Sequence, residues 1–500
     1  MEQKLNRLKE VLGEVSDLNN AGALLSWDQQ TYMPEGATEA RGNMLSTVGK
    51  LAHEMFVSDE VGKLLDELKP WAEQQDQDGE EYRLIKVTAR DYDRSTRVPA
   101  SFVMKQMQVV TMAHQAWMEA RAKSDYSIFK PHLAKILDLT KEYISYFPKS
   151  DHPYDILLDG YEPGMKTADV KDIFGKLRPR QVELIKAIAK AKQVDDSFLR
   201  QKFPGKKQLD FALMVAQKFG YDLRRGRQDL APHPFCTNFS ADDVRITTRI
   251  NPKFLNTTLF GTMHETGHAL YEQGVGHTWA RTPLAGGASL GLHESQSRMW
   301  ENLVGRSLPF WEFFYPQLKK VFPSQLDGVS LKKFYKAINK VQPSLIRVEA
   351  DEATYNLHIM LRLELEIAMV EGSVSLDDLP ALWNTKMQEY LGITPPNDAA
   401  GVLQDIHWSG GMIGYFSTYA LGNLISAQLW EKFESMNPDI YDQMRKGDFS
   451  SLLSWLRVKI HQYGRKYDPA ELVLRVTKKP LESEPYVKYL TKKYTDIYDL

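Results

Sequence analysis

The amino-acid sequence predicts a mainly α-helical chain with one small β-sheet. Three observations carry this expectation. Apolar residues recur at helical spacing through most long segments. Only one stretch, 234–250, joins β-branched residues to period-two alternation. Strands nowhere alternate with helices along the chain, as a doubly wound sheet would require.

Taken in order, Leu5, Leu8, Val11, Leu12, Val15 and Leu18 mark a first helix. It is expected to yield near Asn19–Asn20 or to run into 21–27, before the Pro34-Glu35-Gly36 break. Glu39–Leu68 reads as helical, and Gly79–Asp93 as polar helix or loop. Ser101–Tyr146 reads as one long helical region with a break near Ser124–Tyr126. Phe147–Met165, with three prolines, reads as a long connection. Thr167–Ala191 and 207–219 are amphipathic helices. Pro234–Ser240 and Val244–Ile250 are strands joined through the turn-like Ala241–Asp243. Leu259–Gly276 is a helix, and Thr282–Gly291 a flexible glycine-rich connection that lacks the lysine of a phosphate loop. Helical patterns follow at Leu292–Gly305, Leu331–Ile338, Ile346–Met369, Leu376–Tyr390, much of 401–437, Phe449–Tyr463 and Glu484–Leu500, with an aromatic-rich stretch at 309–322.

Composition excludes several classes. The chain has 500 residues, 43% hydrophobic and 26% charged, with a formal net charge of -2. A nucleic-acid partner would favour a basic stripe, and none dominates here. The basic run Leu223–Arg227 reads as solvated surface. No apolar stretch is long enough to span a membrane, and the charged amphipathic N-terminus lacks a signal-peptide core. Cys236 is the single cysteine, so no intrachain disulfide forms. These features predict a soluble, cytoplasmic protein.

The chemistry concentrates in Leu259–Gly276. His264, Glu265 and His268 form a His-Glu-x-x-His motif. On a helix, positions i and i+4 lie one above the other, so both imidazoles can face one metal ion with Glu265 beside it to move a proton. A structural zinc site takes four ligands, mostly cysteines, and one cysteine cannot supply them. The pattern therefore predicts a catalytic site with three protein ligands and an open position. The third ligand should come from a following helix. Glu294, 26 residues beyond His268, is the first candidate. Glu301, seven residues on and on the same face, is its rival, and His277 and His293 are weaker ones. Gly267 and Ala269 would let the two helices approach closely. In this arrangement the metal polarises water and a carbonyl, and Glu265 acts as general base and acid. Candidates to stabilise an oxyanion or to hold substrate are His233, His293, His358, His407, Tyr415 and Tyr419.

Several ordered segments resemble the carboxypeptidase Taq (M32) family of metallocarboxypeptidases. They are His233–Phe235, Asp243–Thr247, His264–His268, His293–Ser295, Arg347–Glu352 and Gly401–Trp408, with similar patterns at Trp27–Pro34 and Tyr154–Gly164. The resemblance implies one peptidase unit over 1–500, with two helical lobes flanking a deep groove, similar to neurolysin and angiotensin-converting-type zincins. It implies active-site strands at 234–250 and metal-binding helices at 259–305. It assigns His264, His268 and Glu294 to one divalent metal, zinc first with cobalt or manganese as alternatives, and Glu265 to catalysis. The implied activity releases single residues from peptides with a free C-terminus, with broad specificity but poor action on C-terminal proline. A homodimer is implied, without nucleic-acid or membrane partners. A free carboxylate calls for a cation, and the planar fork of arginine suits it. Arg347 is the first choice and Arg245 the second; His233 and His407 fall on motif positions lining the groove. Asp405 and Gln404 would orient His407 or cap a helix, and Trp408 is either core or subsite wall. Rival readings are an oligoendopeptidase or dipeptidyl carboxypeptidase on the same fold, and an inactive peptide-binding protein, which the intact Glu265 disfavours.

Overall fold

Twenty α-helices and three short strands make up the computed structural model, which describes residues 1–500. The first helix runs unbroken over Glu2–Thr31, so its polar middle extends the helix rather than ending it. Three expectations need correction, each for a local reason, and one left open is decided. The 39–68 region is two helices, Thr38–Phe56 and Asp59–Ala72, because the Ser58 hydroxyl caps the second by accepting from the Val61 N–H. The 147–165 connection contains a helix, Pro153–Asp159, with proline at its first position and the His152 ring as cap. The polar 79–93 stretch is helical as part of Glu80–Arg97. Arg347 does not sit on a long helix. It lies in a 3-10 turn, Arg347–Glu349, and the helix starts only at Glu352. The break at Ser124 stands where expected, with φ +53° and the Asp125 carboxylate capping Tyr126–Ser145.

Asp351 enforces the late start. Its carboxylate accepts the N–H groups of Ala353 (3.0 Å), Thr354 (3.1 Å) and Gln342 (2.9 Å). Asp351→Ala is expected to cost about 2–3 kcal/mol, more than an exposed cap, since buried donors lose their acceptor. Denaturant unfolding checks this, and a loss below about 0.5 kcal/mol would contradict it.

Two compact units are assembled from interleaved segments. The first takes residues 1–96, 196–338 and 429–478; the second takes 97–195, 339–428 and 479–500. The first unit holds the sheet. Strand β1 is Gly226–Leu230, β2 is Cys236–Ser240 and β3 is Asp243–Thr248, in the order β1-β3-β2. β3 pairs parallel to β1 and antiparallel to β2 across the expected turn, with an irregularity between Asn238 and Ser240. The composition of β1, GRQDL, hid it, and Arg227 belongs to it rather than to a free basic patch. The Arg227 guanidinium is held by Asp229 and the Tyr32 hydroxyl. On β3, Val244, Ile246, Thr247 and Thr248 are buried, and the Leu255–Glu272 helix packs against β3 and β2.

Glutamate-bearing Leu290–Arg298 crosses that helix and continues into a widened π turn, Met299–Val304. An aromatic cluster of Phe219, Trp300, Phe310 and Phe449 anchors this turn, with Trp300 fully buried. In the second unit the Glu352–Glu371 helix is buried along most of its length. The terminal helix Glu484–Tyr498 docks on its start, where Lys493 Nζ donates to Glu352 at 2.6 Å.

Candidate metal centre

His264 and His268 stand one turn apart on Leu255–Glu272, their ring centroids 5.0 Å apart. Glu294 Oε2 lies 3.5 Å from each of their Nε2 atoms. The structure thus brings these three donors together, all within 4.8 Å of one another. The donor set fits a small divalent ion. Tetrahedral ligands at about 2.0–2.1 Å from one zinc stand roughly 3.4 Å apart. Nitrogen from histidine and oxygen from a carboxylate suit zinc, and also cobalt or manganese.

The outer atoms of each donor are engaged. His264 Nδ1 lies 3.0 Å from Glu301 Oε2, so the rival carboxylate sits behind the ligand ring. His268 Nδ1 lies 2.6 Å from His293 Nδ1. Glu294 Oε1 accepts from Arg298 Nε at 2.7 Å, and its Oε2 accepts from the Ser297 hydroxyl at 3.1 Å. Arg298 and Arg306 also pair with Glu301. With Glu265 ionised, Glu265, Glu272, Glu294 and Glu301 exceed these two guanidiniums by two negative charges, which a dication would neutralise.

Burial shapes the protonation states. It pushes His268 down to about 3, leaving the neutral imidazole that ligation needs. Burial opposes ionisation of Glu294, yet Arg298, His264 and His268 hold it well below the usual carboxylate range. Burial pushes Glu265 up to about 7, with the charges of Glu294 and Glu301 adding and His264 opposing.

Gly267 makes the helix crossing possible. A Cβ there would meet Gln296 O and Ser297 Cα, each at 2.5 Å. Gly267→Ala is expected to destabilise by about 1–3 kcal/mol through overpacking. It should also weaken metal binding, since the helix it displaces carries Glu294. A thermal melt with a metal titration checks both, and an unchanged melt would refute the close-packing account.

The remaining candidates are not all gathered there. In the first unit, His233 is exposed. Arg245 is spent on Asp243 through two 2.8 Å bonds and lies over the Trp27 ring. His277 is exposed, 3.7 Å from Asp242. In the second unit, Arg347 Nε donates to Asp405 (2.9 Å) and its Nη1 to the Tyr355 hydroxyl (2.8 Å). Asp405 also accepts from Arg362 Nε at 2.6 Å, and Gln404 Oε1 accepts from Arg362 and from the Arg347 N–H. Burial pushes His407 down to about 4. Its Nε2 lies 3.4 Å from the Tyr419 hydroxyl, and its ring is 5.3 Å from Tyr415. His358 is fully buried. Trp408 is buried and donates to Glu366, which makes it core. Two guanidiniums, Arg347 and Arg362, thus share the Asp405 carboxylate, and Arg362 also acts on the buried Glu366 carboxyl.

The sequence reading missed Glu272, Arg298, Arg306, Tyr355 and Arg362. Glu272 and Arg298 carried a signal, each lying four residues beyond a donor on the same helix face. Arg362 did not, since Asp405 and Gln404 come from a distant segment, and Arg306 and Tyr355 meet Glu301 and Arg347 at spacings that mark no single helix face.

A mainly helical chain whose crossed helices present two histidine nitrogens and a carboxylate, with a buried glutamate beside them, defines a metal-dependent hydrolase. The chain belongs to the carboxypeptidase Taq (M32) metallopeptidase family, whose model matches residues 7–494. It is 40% identical to thermostable carboxypeptidase 1 of Thermus thermophilus, over 99% of both chains. It is 38% identical to carboxypeptidase 1 of Bacillus subtilis, over 98% of this chain and 97% of that one. The structure of an M32 carboxypeptidase from Deinococcus radiodurans R1 matches all of both chains with a TM-score of 0.97 at 41% identity. The fold is the neurolysin-type zincin fold, and the enzyme is a metal-dependent carboxypeptidase. No helix is long and apolar enough to cross a membrane.

Proposed function

We propose that the enzyme removes single residues from peptides with a free C-terminus, using one divalent ion held by His264, His268 and Glu294. The observation that carries this is the 3.5 Å spacing of Glu294 Oε2 from both imidazole Nε2 atoms. Zinc is the preferred ion, with cobalt and manganese compatible with the same donors. When bound, the ion supplies Lewis-acid polarisation of the attacking water and the scissile carbonyl. Glu265, buried beside these donors, takes the proton of that water and delivers it to the leaving amine. Glu301 and His293 hold the ligand rings from behind. Arg347 binds the free carboxylate, a role supported by its sharing of Asp405 with a second guanidinium, Arg362. Arg245 is the lesser candidate because it pairs one to one with Asp243, whereas Asp405 is divided between Arg347 and Arg362. His407, Tyr415, Tyr419 and His233 are the further substrate contacts.

In this reading residues 1–500 work as one peptidase, with 234–250 supplying strands beside the active site and 259–305 the metal-binding helices. Specificity is broad and C-terminal proline is released poorly. The enzyme is a cytoplasmic homodimer that takes no nucleic acid. Mass spectrometry of products from free and C-terminally amidated peptides, with metal-free and metal-restored protein, tests the proposal. Loss of one residue at a time from free peptides only, and only with metal, is expected. Release of dipeptides or internal cleavage of amidated peptides would replace it with the dipeptidyl or endopeptidase alternative.

A further inference from the structure

His268 differs from His264 in what stands behind it. Glu301 meets His264 Nδ1 directly, whereas His268 Nδ1 meets a second imidazole, His293, at 2.6 Å. His293 in turn places Nε2 2.7 Å from Glu272 Oε1. The proton positions follow by working inward from that carboxylate. Glu272 is an acceptor, already taking Gly287 N–H at 3.2 Å and Asn238 Nδ2 at 2.9 Å. His293 must therefore donate from Nε2. A neutral His293 then has only a lone pair on Nδ1, so it accepts, and His268 must donate from its own Nδ1. That leaves the lone pair of His268 on Nε2, the atom facing His264 and Glu294.

The surroundings are built for this ring. A Cβ on Gly287 would lie 2.6 Å from His293 Cδ2 and 3.0 Å from Tyr271 Cε1. The Tyr271 hydroxyl accepts from Ala288 N–H at 3.1 Å, and its ring stands 5.1 Å from His293. The glycine-rich 282–291 segment, expected to be a flexible connection, is thus a pinned cover over His293. Through Asn238 the same carboxylate ties edge strand β2 to the metal ligand.

We propose that His293 is a positioning residue, passing the hydrogen-bond polarity of Glu272 to His268 so that the Nε2 of His268 is held ready for the ion. The proposal rests on His268 being a ligand.

The test compares full-length His293→Leu, His293→Gln and Glu272→Gln. Affinity for Zn²⁺ and Co²⁺ is measured by chelator competition, with the visible spectrum of the Co²⁺ form and the melting temperature of the metal-free form. Glutamine carries an acceptor and a donor in one side chain and can keep the relay's order; leucine cannot. His293→Leu is expected to lose about 10–100-fold in metal affinity and to change the Co²⁺ spectrum. Glu272→Gln should move in the same direction, and His293→Gln should recover roughly half or more of the loss on a logarithmic scale. Affinity within about twofold of the parent for His293→Leu, or equal losses in the leucine and glutamine variants, would overturn the relay. If His293→Leu fails to fold, Glu272→Leu, which removes the acceptor altogether, decides, and an unchanged affinity there overturns the relay too. His268→Ala separates the two levels. If it leaves metal binding intact the ligand assignment is wrong; if it abolishes binding while the His293 and Glu272 variants do nothing, only the relay is wrong.

Discussion

Glu265→Gln is expected to lower kcat by about 10²–10⁴-fold while metal content and KM stay close to those of the parent. Glutamine has the shape of glutamate and cannot take a proton from water, so the loss falls on the chemical step. None of His264, His268 and Glu294 is altered, which is why the ion should remain. Stability should move the opposite way. Burial raises the Glu265 pKa from 4.5 in the unfolded chain to about 7 in the metal-free fold. The protonated carboxyl therefore adds stability that is complete below about 4.5 and lost as pH rises through about 7. An amide suffers no such loss. The metal-free variant should melt progressively higher than the metal-free parent as pH climbs through this window. Steady-state kinetics with metal analysis, and calorimetry across pH, check the two halves. A variant that hydrolyses peptides at the parental rate would remove Glu265 from the mechanism.

Arg347→Ala should reduce kcat/KM on free peptides by roughly 10–10²-fold, mainly through KM, and should shrink the preference for free over amidated ends. The reason lies in how charge is shared. Asp405 is held by two guanidiniums, and burial is outweighed by Arg362 and Arg347 in keeping it ionised. Removing Arg347 leaves Asp405 to Arg362 alone, so the guanidinium that would meet an incoming anion is lost. Arg347→Lys keeps the charge but loses the fork, and should fall between. Kinetics on one peptide in acid and amide forms separate these cases. Equal losses on both forms would mean that Arg347 shapes the cluster without binding the carboxylate.

The sequence made some of this readable and concealed the rest for identifiable reasons. Helical periodicity exposed the His264–His268 pair because both lie within one turn of one element. The break at Ser124 was visible because no apolar residue demanded continuation there. Arg347 was misplaced on a helix because the 346–369 pattern runs smoothly through Asp351, and only the folded backbone shows that its carboxylate caps from inside the pattern. β1 was invisible because GRQDL has no strand composition; it pairs because β3 offers a second edge. His293 could be named as polar and near the site, but not assigned its role behind His268, since Glu272 and Gly287 meet it only after the helices cross. Two lobes were implied by the resemblance, but the make-up of the two compact units was not legible, because each joins segments separated by residues of the other.

That interleaving sets a schedule for the chain as it is made. The second unit opens at residue 97 and closes only with 479–500, whose Tyr486, Leu490, Tyr494 and Ile497 are buried and whose Tyr498 hydroxyl accepts from Val341 N–H at 2.7 Å. The first unit likewise waits for 429–478. A ribosome adding residues one by one therefore makes 97–195 well before 479–500, the segment that completes the same unit. Apolar surface from 97–195 stays without its final partners for most of that time, a long interval of exposure to aggregation. Neither unit can make all of its contacts before the segments beyond residue 429 have been added.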